Sequence, residues 1–163
     1  MKRMFASILV GSFFSAACGG GSSSAQADAQ KAAAALTGND TQTAADNPQC
    51  KLFTRTEIAK YVGEPVSAPG NSVGGCQWLA TGNGGGDVTV AIVPAEYYEP
   101  PTRAKGFKGV PDVGTKGFVA PWLNGWVAGA IVGKDTVRVS LSGPGANETT
   151  AIALLKDTIH RTS

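Results

Sequence analysis

Two cysteines bracket the stretch that most limits how this chain can fold. Cys50 opens the run Cys50-Lys-Leu-Phe-Thr-Arg-Thr-Glu-Ile-Ala-Lys-Tyr-Val-Gly63, and Cys76 sits in Gly74-Gly-Cys-Gln-Trp78. Thr54-Arg-Thr-Glu57 has the spacing of a capping box, in which the Thr hydroxyl and the Glu carboxylate satisfy backbone N–H groups at a helix start. Phe53 and Ile58 stand at the two positions of a hydrophobic staple around it. Ile58, Tyr61 and Val62 form an apolar face at helical spacing. Gly63 suits a left-handed helix end, and Pro65 stops continuation. A short capped helix is therefore expected, tied to the first strand of a sheet at Cys76.

The start of the chain reads as an address. Met1-Lys-Arg-Met4 is a positively charged opening, and residues 5–17 are an apolar stretch ending in small residues. That is signal-peptide architecture over 1–17, too short for a stable membrane span. Ser15-Ala-Ala-Cys18 resembles the lipobox of bacterial lipoproteins, departing from it at Ser15, where Leu is usual. The resemblance implies that Cys18 becomes the acylated N-terminal residue, palmitate included. It also implies a protein anchored in the cell envelope, on the periplasmic side of the outer membrane if the cell is Gram-negative. The alternative is ordinary cleavage after Ala25-Gln-Ala27, giving a secreted or soluble periplasmic protein. Residues 18–48 then form a linker of Gly, Ser, Ala, Gln and Thr that cannot bury a core and is expected to be disordered. Such a coil holds a domain on the order of 30 Å from its anchor.

The chain has three cysteines. Lipidation uses Cys18 and ordinary cleavage removes it, so Cys50 and Cys76 are left as a pair in an oxidising compartment, where disulfides persist. Closing that loop stabilises the fold by roughly 3–4 kcal/mol. A redox or metal pair is the other reading, but there is no Cys-x-x-Cys and no companion histidine.

Residues 49–163 are expected to form one domain. Gly74 to Ala80 alternates, residues 82–86 make a Gly-rich turn, and Val88, Val90 and Ile92 alternate with Thr89, Ala91 and Val93, so a hairpin is predicted. Residues 94–114 are a poorly patterned connection. Residues 115–120, 126–132 and 136–141 read as a meander of three strands. Asn147 can cap a final helix that buries Ala151 or Ile152, Leu155 and Ile159. The fold class is α+β: a single antiparallel sheet of about five strands with both helices on one face, in the order α-β-β-crossover-β-β-β-α. The other sheet face is expected to carry Thr89, Arg138, Ser140 and a tryptophan.

From Cys50 onward the chain resembles a group of small bacterial envelope lipoproteins of unknown function. The shared features are Cys50, Leu52, Phe53, Thr54, Glu57, Gly63, Cys76 and Trp78, with Val110-Pro-Asp-Val-Gly114 and Gly125-Trp126 further on. These motifs are structural, so the resemblance implies a fold and an envelope setting and carries no catalytic residue.

Composition excludes some functions. The chain has 14 Lys and Arg, of which Lys2 and Arg3 lie in the signal segment, against 12 Asp and Glu. The remainder is near neutral, which argues against nucleic acid as a partner. His160 is the single histidine, so no multi-histidine metal site is possible and no triad is in view. No phosphate loop is present. No cofactor and no metal are implied.

The candidate binding residues are Tyr97, Tyr98, Arg103, Lys105 and Phe107 in the long connection, with Trp122 and Trp126 after it. A connection of that length is a recognition loop or a crossover whose tyrosines lie over the core. The expectation is a non-enzymatic module held at a membrane by its lipid, binding an envelope protein or a small ligand. The alternative is a hydrolase or transferase acting on envelope material, using Glu96, Glu99 or Asp112.

Overall fold

The computed structural model describes residues 43–163. The signal segment, Cys18 and most of the expected linker lie outside the described residues.

Among the described residues, two α-helices and seven strands follow one another, with short 3-10 turns at Pro48–Lys51 and Ala95–Tyr97. Helix α1 is Arg55–Val62 and helix α2 is Glu148–Thr162. The strands are β1 Gly70–Ser72, β2 Gly75–Leu79, β3 Asp87–Pro94, β4 Lys108–Gly109, β5 Thr115–Trp122, β6 Gly125–Val132 and β7 Asp135–Ser142. They form one sheet in the order β1-β2-β3-β7-β6-β5-β4. Every neighbouring pair is antiparallel. The fold is α+β as expected, but seven strands replace the anticipated count of about five. The two extra strands are the edges β1 and β4, of three and two residues, too short to show alternation. The last strand, β7, enters the middle of the sheet beside β3, with Val88, Val90 and Ile92 opposite Leu141, Val139 and Val137.

Alternation sorts the strands into two faces. One face carries Cys76, Trp78, Val88, Val90, Val119, Ala128, Ala130, Val137, Val139 and Leu141, which share one core with both helices. From α1 come Ile58 and Val62, and from α2 Ala151, Leu154 and Leu155. The buried stripe of α2 is turned relative to expectation: Leu154 and Thr158 are inside, while Ile152 and Ile159 flank the core. Helical spacing puts 151, 154, 155 and 158 on one line. Thr158 is tolerated there because its hydroxyl donates to the Leu154 carbonyl at 2.7 Å.

The local signals around α1 hold. Thr54 Oγ1 accepts from Glu57 N at 3.3 Å, and Thr54 N donates to Glu57 Oε2 at 2.7 Å. Gly63 closes the helix at φ 85°. A Cβ there would lie 2.9 Å from Gly145 N, so glycine is needed both for the turn and for the approach of the chain before α2. The disulfide joins Cys50 to Cys76 across a separation of 26 residues. Nearby, Asn47 is buried and donates to Gly75 O at 2.9 Å. Arg161 ties the ends of the domain: Nη2 donates to Glu57 Oε1 at 2.7 Å, and the guanidinium lies 4.3 Å over the Phe53 ring. That hydrogen bond, with those from Thr54, holds the Glu57 carboxyl down at about 2. Burial, and then its hydrogen bond to Asp157, pushes the Tyr61 phenol up.

The second face of the sheet is half covered. Phe118, Ala120 and Val127 are buried beneath Tyr98, Ala104 and Phe107 of the connection between β3 and β5. Phe107 stacks on Phe118 at 5.9 Å and 19°, and Tyr98 meets the same ring edge-on at 73°. The crossover is thus a strap over β5 and β6. Beyond it, Gln77, Thr89, Arg138 and Ser140 are only partly covered.

Candidate functional site

At the border between the strapped and the open half of that face stands Trp122. It is the last residue of β5, paired with Gly125 at the start of β6, so the connection is only Leu123-Asn124. Such a turn with positive φ at its first central position normally takes glycine. Here the position holds Leu123 at φ 51°. Its side chain is 91% exposed, and that of Trp122 42%. A left-handed Leu costs roughly 1–2 kcal/mol, and neither core of the domain encloses its side chain in return. Strain of that kind gathers at functional positions.

The indole is held in place. The Arg138 guanidinium carbon lies 5.6 Å from the ring centroid, a cation–π contact that fixes the ring against the sheet. Two grooves border it. One, of about 210 Å³, is lined by Trp122, Asn124, Trp126, Asp87, Ser140 and Ser142. The other, of about 470 Å³, lies between Trp122 and Pro100, Pro101, Thr102 and Arg103 of the strap.

The floor of the smaller groove is made by strand order. Asp87 opens β3, Ser142 closes β7 and Gly125 opens β6, and the ladder places Gly125 opposite Ser142. A Cβ on Gly125 would fall 2.0 Å from the Leu141 carbonyl oxygen, so only glycine lets β6 close on β7 here. Asp87 is aimed by its neighbours. Oδ1 accepts from Ser142 Oγ at 2.6 Å, Oδ2 accepts from Gln77 Nε2 at 3.1 Å, and Asp87 N donates to Ser142 Oγ at 3.0 Å.

Of the seven residues picked from the sequence, Trp122 and Arg103 come together across the larger groove. Tyr98 and Phe107 are in the second core; the Tyr98 hydroxyl donates to the Lys116 carbonyl, and burial raises its pKa. Trp126 packs against the main core and also lines the smaller groove. Tyr97 is 64% exposed, and Lys105 is exposed. Sequence reasoning did not single out Asp87, Leu123, Asn124 or Ser142. The signal for Leu123 was available: a two-residue connection between apolar runs with no glycine at its first position.

Other depressions are shallower in chemistry. An open one of about 610 Å³ follows α1 past Arg55, Lys60 and Glu64 and presents no aromatic ring. Glu64 Oε2 accepts from Gly84 N at 3.3 Å, while Oε1 is buried with no partner. Another, of about 300 Å³, lies between Asp112 and the end of α2 at Lys156 and His160. Among the described residues no three His, Cys, Asp or Glu gather as a metal site. No described helix is long and apolar enough to cross a membrane. Comparison with known proteins gave no matching family model and no matching curated protein.

Proposed function

We propose that this chain is a non-enzymatic binding module of the bacterial cell envelope, anchored by a lipid on Cys18 and capturing its ligand in the grooves beside Trp122. The observation that carries the reading is the Trp122 ring itself: exposed, oriented by Arg138, and lining two clefts. Aromatic side chains of this kind supply contact area at low entropic cost, and a pre-positioned ring loses little freedom on binding. The strained, exposed Leu123 beside it points the same way. The acids considered for envelope hydrolysis or group transfer, Glu96, Glu99 and Asp112, all stand exposed and line neither groove beside Trp122.

The test uses the tagged protein in its own cells. After crosslinking it is purified from membranes, and its companions are identified by mass spectrometry; an untreated sample is examined for bound small molecules. Trp122→Ala and Cys18→Ala run beside the native chain. A companion or bound molecule lost in Trp122→Ala supports the site, and loss of membrane association in Cys18→Ala supports the anchor. Companions and bound molecules identical in Trp122→Ala would sink the site assignment.

A further inference from the structure

We infer that the ligand of the Trp122 site is a neutral saccharide of at least two sugar units, laid across the indole with one ring in the smaller groove. This rests on the reading that the Trp122 grooves are the binding site. A sugar ring presents C–H groups on its faces and hydroxyls around its rim, each hydroxyl both donating and accepting. It therefore needs an exposed aromatic surface bordered by hydrogen-bond donors and acceptors.

The site has that composition. The indole supplies an electron-rich apolar surface and is held by Arg138. At its border in the smaller groove stand the Ser140 hydroxyl and the Asn124 amide, which together offer donors and acceptors. Asp87 is the acceptor of the set. Ser142 and Gln77 fix its carboxylate but take one bond on each oxygen, and a carboxylate has room for about four.

The same atoms disfavour other ligand classes. In the smaller groove an anion meets the Asp87 carboxylate, while Arg138 is engaged with the ring and Arg103 stands only at the larger groove. An acyl chain would bury Asp87, Ser140 and Ser142 against hydrocarbon, which costs free energy for each unpaired polar group. A metal cation finds a single carboxylate. Size sets the minimum length: about 210 Å³ falls below the usual range of small-ligand pockets, so one ring fills it. A second unit passes over Trp122 into the cleft beside Thr102 and Arg103.

The full-length chain, labelled with nitrogen-15, is titrated with cellobiose, maltose and N,N′-diacetylchitobiose, and its indole N–H signals are followed. The chain has three tryptophans, and Trp122→Phe identifies the signal of Trp122. One of the sugars should move that signal saturably and leave the Trp78 signal in place. Trp122→Ala should weaken binding about tenfold or more, the loss of an aromatic contact together with its buried area. Asn124→Ala lies on an exposed turn and leaves the fold alone; it should weaken binding severalfold. Sodium chloride at high concentration should not change the affinity, because no ion pair is formed. If no sugar moves the Trp122 signal, the saccharide assignment is wrong. Trp122-dependent companions in cells would then keep the site and discard only the ligand class, whereas loss of both results would discard the site as well.

Discussion

Replacing Leu123 by glycine should make the domain more stable and its binding weaker. Leu123 holds φ 51° at the tip of the β5–β6 hairpin, a conformation that costs an L-residue roughly 1–2 kcal/mol and glycine almost nothing. Glycine gives back about 0.4–1 kcal/mol through the greater freedom of the unfolded chain. The side chain is 91% exposed, so removing it leaves no cavity. The net expectation is a gain of about 0.5–1 kcal/mol, read in urea unfolding as a higher midpoint with unchanged slope. In thermal unfolding it corresponds to a rise of about 2–5 °C for a domain of this size. Leu123→Ala is the control: it removes the same contact surface but keeps the strained backbone, so it should not stabilise. Ligand capture should fall in both variants, by about fivefold if half the side chain is covered in the complex. A lower midpoint in Leu123→Gly would refute the strain, and stabilisation without loss of binding would refute its functional reading.

Three further outcomes follow from the packing. Cys50→Ala with Cys76→Ala opens a link spanning 26 residues and should cost about 3.5 kcal/mol by loop closure alone; a drop below 1 kcal/mol in urea unfolding would mean that the reduced chain keeps the N-terminal turn in place by other means. Stability should decline on acidification from about pH 4.5 toward about 2, because Glu57, held low first by Arg161 and then by Thr54, is protonated more readily once unfolded than folded. Glu57→Gln or Arg161→Ala should flatten that part of the pH–stability profile, and an unchanged profile would show the pair to be inert. Phe107→Ala removes the stacked partner of Phe118 and should cost about 2 kcal/mol. Hydrogen exchange should then speed up in residues 95–107 and not in β2 and β3; uniform acceleration would show that the strap is not a separate unit.

The parts of the fold legible in the sequence were those written in neighbouring residues. Thr54 and Glu57, Gly63, the β2–β3 alternation and the Asn147 cap each act within a few positions, and each stands where the pattern placed it. Edges β1 and β4 were not legible, because strands of three and two residues exist only through their pairing partners. For Tyr98 and Phe107 the sequence leaves a recognition loop and a crossover lying over the core both open, and the structure has the second: both rings pack on Phe118. The sign that they are covered lay elsewhere: Phe118-Val-Ala120 is apolar on both faces, as in a strand buried on both sides. The site was half legible for the same reason. Trp122 and Arg103 stand out as residue types, whereas Asp87, Ser142 and Asn124 meet only because β7 threads between β3 and β6.

That threading also orders the birth of the fold. As the chain emerges from its N-terminus, β1, β2 and β3 can pair, and both cysteines of the disulfide are already present. The inner edge of β3 must then wait for β7, which lies more than forty positions later in the sequence. Until it arrives, Val88-Thr-Val-Ala-Ile-Val93 is an uncapped apolar strand, the kind of segment that recruits other chains. Asp87 and Pro94 stand at its two ends as gatekeepers against that encounter. Asp87 therefore guards the nascent chain before it serves the finished groove.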